Sequence, residues 1–589
     1  MAEQPPAPPG ARDDVVAPLR ALEHALAGTT LPLDLPGADA ARRRLRSLVD
    51  QLADYVIPRA EQLDAPLLAV IGGSTGAGKS TLVNALAGDE VSRASAIRPT
   101  TRRPVLVHHP EDAGWFTDDR VLPGLARVHG RAATEPLPED AEVTELVLVP
   151  AATVPRGLAL LDAPDIDSVV VGNRRLAGQL LAAADLWIFV TTAARYADAV
   201  PWELLRSASA RRVVVAVVLD RVPPGTAGEI RADLADRLHA EGLAHAPLFV
   251  VSEQPPPPPG TAARLPEADV APVRSWLRGL AADAVTRASV ARQTLTGAVA
   301  EVLTGTEEVA AAAAAQATAA EELARTAEGR YADAVRAVMD STEDGTLLRG
   351  EVLARWQEFV GTGEWLRGVE AAVGRLRDRV TGFLRGRPTT QARAEEAIES
   401  GLVTLVVAEL ERAERETRRA WQSLPGGPTA LEGVADHAPA AARPRLVEEV
   451  SAEVRDWQRA LLERVRAEGQ DRRVRARMLS LGVNASGVTL MLVVFAFSGG
   501  LTGLEIGVAG GTAVVGQKVL EMVFGDQAVR DLARHAQRDL EERVERLVAD
   551  HRRPWLDRVR ELGVDGDAAA TLRAAATGVR VTGAGRRGD

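Results

Sequence analysis

The sequence predicts an α/β domain, a mostly parallel sheet with flanking helices, joined to a long α-helical bundle stalk with a hydrophobic hairpin. Three observations predict it. Between residues 65 and 253, short β-branched runs alternate with helix-like segments around a Gly-rich turn, the pattern of parallel strands with crossover helices. From 273 onward the segments lack strand alternation and carry Glu/Arg pairs at helical spacing, as solvated faces of long helices do. Residues 478–517 hold a single charge, Glu505, in a chain that is 26% charged.

Taken in order, residues 1–13 read as a disordered Pro-rich tail, and 14–64 as N-terminal helices (patterns at 14–26 and 38–63) packing on the stalk or head. Strand candidates follow at 65–71, 104–108, 145–149, 158–161, 186–191, 213–219 and 247–251. The Pro run at 255–259 ends the domain, because proline can be neither helix interior nor central strand; 254–272 is the linker. The stalk spans 273–477, with helical segments at 273–301, 306–339, 347–384, 391–422 and 446–477. The hydrophobic segment is 478–524, a returning stalk helix 525–563 and a flexible tail 564–589. The alanine run 310–315 reads as a tightly packed helix stripe.

Composition excludes several classes. The net charge of −11 provides no global basic field for nucleic acid, so no nucleic-acid partner is expected. With no cysteine, disulfides, thiolate nucleophiles and Cys-ligated zinc are ruled out. Residues 1–14 contain no apolar h-region, so no secretory signal is expected there.

Chemistry concentrates at Gly73-Ser74-Thr75-Gly76-Ala77-Gly78-Lys79-Ser80, with Thr81 following. This fits G-x-x-x-x-G-K-[ST] in full, entered by an apolar strand and left by a helix pattern. Glycines let the backbone wrap phosphate oxygens, and the helix start adds anion affinity. Lys79 then reaches the β and γ phosphates, and the Ser80 hydroxyl binds Mg²⁺.

Downstream, Arg98-Pro99-Thr100-Thr101-Arg102-Arg103-Pro104 leads into a strand, and the strand at 158–161 delivers Asp162-Ala163-Pro164-Asp165. Here the sequence resembles the dynamin superfamily of large P-loop GTPases, in its bacterial and specifically actinobacterial members. The resemblance gives Thr101, with Thr100 as the neighbouring alternative, the Mg²⁺-completing and γ-phosphate-sensing role. It gives Asp162 the water-mediated hold on Mg²⁺, so that Lys79, Thr101 and Asp162 are the catalytic candidates. The sequence departs from the family at four places. Asp165 replaces a switch II glycine, Thr75 and Gly76 replace a Gln-Ser pair, and Asp220-Arg221-Val222-Pro223 ends in proline where a guanine-reading carboxylate belongs. Val251-Ser252-Glu253 occupies the other base-contacting loop. Asp220, Arg221 and Ser252 are the base-side candidates, and the cofactors implied are GTP or, given the incomplete base motif, ATP, with Mg²⁺.

The far end supplies a second signal. Residues 478–504 run 27 positions without a charge, and three of five methionines and three of eight phenylalanines fall in 478–524. Residues 478–498 span about 30 Å as a helix, the hydrocarbon thickness of a bilayer. Arg472, Arg473, Arg475 and Arg477 precede the segment and Lys518 follows; basic flanks on both sides place both ends on the cytoplasmic face of the cell membrane. The expectation is a membrane hairpin, the alternative a buried hairpin in a bundle core. By resemblance, the whole is a GTP-hydrolysing mechanoenzyme. It contacts the lipid bilayer through 478–524, oligomerises with itself or a related chain through head and stalk, and serves fission, fusion or septum and envelope maintenance. The alternative is a membrane-anchored nucleotide switch or scaffold with little or no hydrolysis. A transport ATPase of the ABC type is disfavoured, since no Leu-Ser-Gly-Gly-Gln signature occurs.

Overall fold

The computed structural model describes residues 10–92, 103–118, 121–122, 124–129, 145–166, 171–210, 213–255, 264–343, 354–355, 388–432, 434, 439–470, 474–476, 478, 485–497 and 512–584. They form two compact units. The first comprises 1–31, 37–315 and 565–589; the second comprises 32–36 and 316–564.

The first unit is built on an eight-stranded sheet in the order β3-β4-β2-β5-β1-β6-β7-β8. The strands are β1 (Leu67–Gly73), β2 (Val105–His108), β3 (Ala126–His129), β4 (Glu145–Pro150), β5 (Leu158–Asp162), β6 (Leu186–Thr192), β7 (Val214–Val222) and β8 (Leu248–Ser252). Every pairing is parallel except β2 with β5. Central strands β1, β5 and β6 are buried along their whole length, which is why they read as continuous apolar runs rather than alternating ones. Strand β3 was not expected from the sequence. Its four residues are exposed or half-buried, so they carry neither the apolar run nor the alternation that marks a strand.

Helix α1 (Gly10–Gly28) packs with the C-terminal helix Ala568–Ala584: Leu19, Leu22 and Leu26 share a core with Leu572, Ala576 and Val579. The segment 564–589, expected as a flexible tail, therefore holds a helix. Ala-rich helices and Ala-rich linkers look alike in composition, and only the tertiary partner separates them. The helix Glu267–Ala281 begins inside the expected linker and sets Trp276 against Phe249 of β8, ring centroids 6.0 Å apart. Residues 273–315, expected as stalk, belong to this first unit.

One 60-residue helix, Ala284–Glu343, replaces the two patterns expected at 273–301 and 306–339. It runs through Gly305 without a break. A Cβ there would lie 2.6 Å from Arg44 Nε, so the glycine makes room for the guanidinium, which pairs with Glu301 at 2.9 Å and Glu308 at 3.2 Å. Ala310 and Ala313 of the alanine run are buried.

The second unit is helical. Helices Pro439–Glu468 and Asp526–Glu561 lie antiparallel: Glu449 faces His551 at 3.5 Å, Glu453 faces Arg543 at 3.1 Å, and Trp457 Nε1 donates to the Ala536 carbonyl at 3.0 Å. The expected helical segment at 347–384 lies outside the described residues except at 354–355.

The expected membrane hairpin is corrected in its described part. Its described limbs are the helices Ala485–Phe497 and Thr512–Phe524. Among the described residues, no helix is long and apolar enough to cross a membrane. Residues 487–497 are all buried in the core of the second unit. Phe497 stacks on Trp457 at 5.7 Å, and Gln537 Nε2 donates to the Ala496 carbonyl at 3.0 Å. A helix apolar on every face must be covered on every face, and neighbouring helices do the covering here. Residues 479–484 and 498–511 lie outside the described set.

Candidate nucleotide site

Strand β1 is flanked by β5 and β6, with Ile71 opposite Asp162 and Gly73 opposite Val190. Thr192 of β6 stands opposite Asp220 of β7. This register brings the Gly-rich loop, Asp162 and Asp220 to the carboxyl edge of one sheet, where open α/β sheets bind ligands. Backbone approach at the loop is close. A Cβ on Gly73 would lie 2.1 Å from the Val190 carbonyl oxygen, and one on Gly78, at φ 97°, would lie 2.3 Å from Asp220 Oδ2. Only glycine fits at both positions.

Lys79 opens the helix Lys79–Ala87 and is 5% exposed. Its ammonium donates to the carbonyls of Gly73 at 3.0 Å and Ser74 at 3.2 Å, and to the Asp165 carboxylate. Ser80 Oγ donates to Asp162 Oδ2 at 2.7 Å, and Ser92 Oγ to the same oxygen at 2.6 Å. Asp162 is fully buried. Burial pushes its carboxyl up, against the bonds from Ser92 and Ser80 and the nearby Lys79 charge. Its other oxygen, Oδ1, is buried with no hydrogen-bond partner among the described residues, as is Ser74 Oγ. A buried carboxylate oxygen left unbonded costs free energy. A hydrated Mg²⁺ beside Ser80 and Asp162 would satisfy that oxygen, so the donor set fits this hard cation. Among the described residues, no cluster of three or more His, Asp or Glu offers an alternative metal site.

Two features of the site carried no sequence signal. Asn84 Oδ1 accepts from the amides of Val91 (2.9 Å) and Ser92 (2.8 Å), while its Nδ2 donates to the Ser92 carbonyl at 2.7 Å. This latch holds Ser92 over Asp162. Arg195, after β6, donates to the Thr75 carbonyl at 3.2 Å and to Asp198 at 2.8 Å. Gly76, Ala77 and Thr81 lie in the same loop–helix turn as Lys79.

Asp220 is buried; burial pushes its carboxyl up, opposed first by the hydrogen bond from the Arg221 amide, 2.8 Å away. Arg221 itself takes a left-handed φ of 54°. Ser252 ends β8 opposite Val222, its amide donating to Asp269 at 3.1 Å. These three base-side candidates share the sheet edge with the loop. Thr100 and Thr101 lie outside the described residues. Arg103 pairs with Glu145 at 2.9 Å.

Two chains from structural work on an oligomerised bacterial dynamin pair, said to provide a mechanism for the long-range sensing and tethering of membranes, are similar at 10% identity. One covers 97% of each chain at a TM-score of 0.39; the other covers 99% of this chain and 96% of its own at 0.40. A comparison with curated proteins found no match. The model of the dynamin family matches residues 68–220, from the first strand of the sheet to the carboxylate at the end of β7. Over that segment the chain is similar to the dynamin family.

Proposed function

We propose that the chain binds a nucleoside triphosphate with Mg²⁺, GTP ahead of ATP, hydrolyses it, and couples that cycle to membrane binding and remodelling. The observation that carries this reading is the convergence of the Lys79 ammonium, the Ser80 hydroxyl and the half-satisfied Asp162 carboxylate. Lys79 takes the β and γ phosphates, Ser80 and Thr101 ligate the metal, and Asp162 holds it through water. When bound, the metal neutralises phosphate charge. Phosphoryl transfer asks the protein chiefly for this positioning and charge neutralisation. Asp220, Arg221 and Ser252 flank the base, with Pro223 in place of a guanine-reading carboxylate.

The membrane role rests on the similarity to the dynamin family. Homo-oligomerisation, or pairing with a related chain, and a cytoplasmic-face location belong to the same proposal. A second reading, a nucleotide switch or scaffold without appreciable hydrolysis, is favoured by one observation: Lys79 is engaged by Asp165.

Turnover of GTP and ATP, with and without liposomes, separates the two. Lipid-stimulated hydrolysis lost in Lys79→Ala supports the enzyme, binding without turnover supports the switch, and binding of neither nucleotide removes both. Flotation of the intact chain on liposomes, with and without nucleotide, tests the membrane arm. Deleting 478–524 does not, because residues 487–497 are core.

A further inference from the structure

An ammonium has three N–H bonds to give, and in Lys79 all three are taken: by the Gly73 carbonyl at 3.0 Å, the Ser74 carbonyl at 3.2 Å and the Asp165 carboxylate. The first two partners belong to the Gly-rich loop and fix the ammonium across it. The third arrives from outside the loop, on the chain leaving β5. The pair is shielded, with side-chain exposures of 5% for Lys79 and 17% for Asp165. It is therefore not a solvent-screened surface contact of little consequence.

A carboxylate oxygen and a terminal phosphate oxygen offer a lysine the same thing, an anionic acceptor at hydrogen-bonding distance. A phosphate that is to engage Lys79 must replace an existing partner. Of the three, only Asp165 can leave without unravelling the loop. We propose that Asp165 is an internal occupant of the phosphate seat: it neutralises Lys79 in the nucleotide-free protein, and a polyphosphate ligand binds by displacing it. This rests on the nucleotide reading above and deepens it.

The local geometry also says where the displacement stops. Asp162 is held by Ser80 and Ser92, and the Ala163 amide donates to the Ile71 carbonyl at 3.2 Å. Both residues are fixed to the sheet. Release of Asp165 therefore moves the chain from Pro164 onward and leaves Asp162 in place. The binding-competent state is the one with Asp165 out of the seat, so apparent affinity is reduced by the fraction of molecules in that state.

The test compares the full-length wild type with Asp165→Asn and Asp165→Glu. Two quantities are read: the melting temperature without ligand, and the affinity for GTP–Mg²⁺, ATP–Mg²⁺ and inorganic triphosphate. The Asn variant is expected to melt lower when empty, since Lys79 loses its counter-charge. It should nonetheless bind GTP–Mg²⁺ and inorganic triphosphate at least about tenfold tighter. The Glu variant, which keeps the charge, should bind within about threefold of wild type. A purely structural ion pair gives the lower melting temperature without tighter binding, and that result overturns the proposal while leaving nucleotide binding intact. If no form retains any of the three ligands, the nucleotide reading falls and takes the proposal with it. Should the Asn variant fail to fold, amide exchange of the wild type decides. Triphosphate should speed exchange at residues 165–166 and leave 162–163 protected; unchanged exchange at 165–166 refutes displacement.

Discussion

Asp162 and Asp185 sit at opposite edges of the sheet, one at the carboxyl end of β5 and the other just ahead of β6, and both are almost fully buried. Their surroundings differ in kind. Asp185 receives Arg59 through two parallel bonds, 2.9 Å to Oδ1 and 2.7 Å to Oδ2. The Tyr55 hydroxyl adds a bond at 3.1 Å and the Leu68 amide another at 2.7 Å. Asp162 has two hydroxyls on one oxygen and, among the described residues, no partner on the other. Burial pushes both carboxyls up, but a full shell of donors opposes it at Asp185, including a guanidinium. At Asp162 only hydroxyl bonds and a lysine engaged elsewhere do so. A completed shell marks a strut that ties the N-terminal helices to the sheet. An incomplete one marks a place where a ligand finishes the bonding.

The largest expected effect tests the strut. Arg59→Met or Asp185→Asn leaves its partner buried without its full complement and should cost about 3–5 kcal/mol, read by calorimetry. A loss below about 1 kcal/mol would break the contrast. Next, Asp162→Asn should leave the empty protein's melting temperature unchanged or raised, while Mg²⁺-dependent nucleotide affinity falls about 10–100-fold. Equal destabilisation by the Asp162 and Asp185 substitutions would show that both are struts.

A pH effect follows. The folded-state value of Asp162 lies above its ordinary one. Its favourable contribution to the empty protein is therefore full below the ordinary carboxylate value and lost as pH rises through the raised one. A cation favours the ionised form, so Mg²⁺–nucleotide binding should release a proton in that window and weaken as pH falls through it. Titration calorimetry in buffers of different ionisation enthalpy measures the release, and Asp162→Asn should abolish it. The smallest effect concerns Asp220, whose carboxylate has the Arg221 amide and a distant Arg221 side chain at 3.9 Å. Asp220→Asn should change stability by less than about 1 kcal/mol; a loss on the scale of Asp185 would place it among the struts.

The sheet and the loop were legible because their signals are local. Fully buried central strands must be apolar throughout, and a loop that admits the Val190 carbonyl and the Asp220 carboxylate must be glycine at 73 and 78. What escaped depends on contacts distant in sequence. Ser92 reaches Asp162 only through the Asn84 latch, and nothing in its neighbourhood announces it. Asp165 reads in sequence only as a replaced glycine; its contact with Lys79 is visible only in the fold. The charge-free run misled for a related reason: a helix buried on all faces and one bathed in lipid have the same composition. Partners, here Trp457, distinguish them.

The pairing of α1 with the helix Ala568–Ala584 has a consequence during synthesis on the ribosome. Residues 316–564 form a separate unit, and all of them must be translated before Leu572, Ala576 and Val579 can cover Leu19, Leu22 and Leu26. At roughly 5–20 residues per second, translating from the end of α1 at Gly28 to Ala568 takes roughly 27–110 s, during which that helix face lacks this cover on the nascent chain.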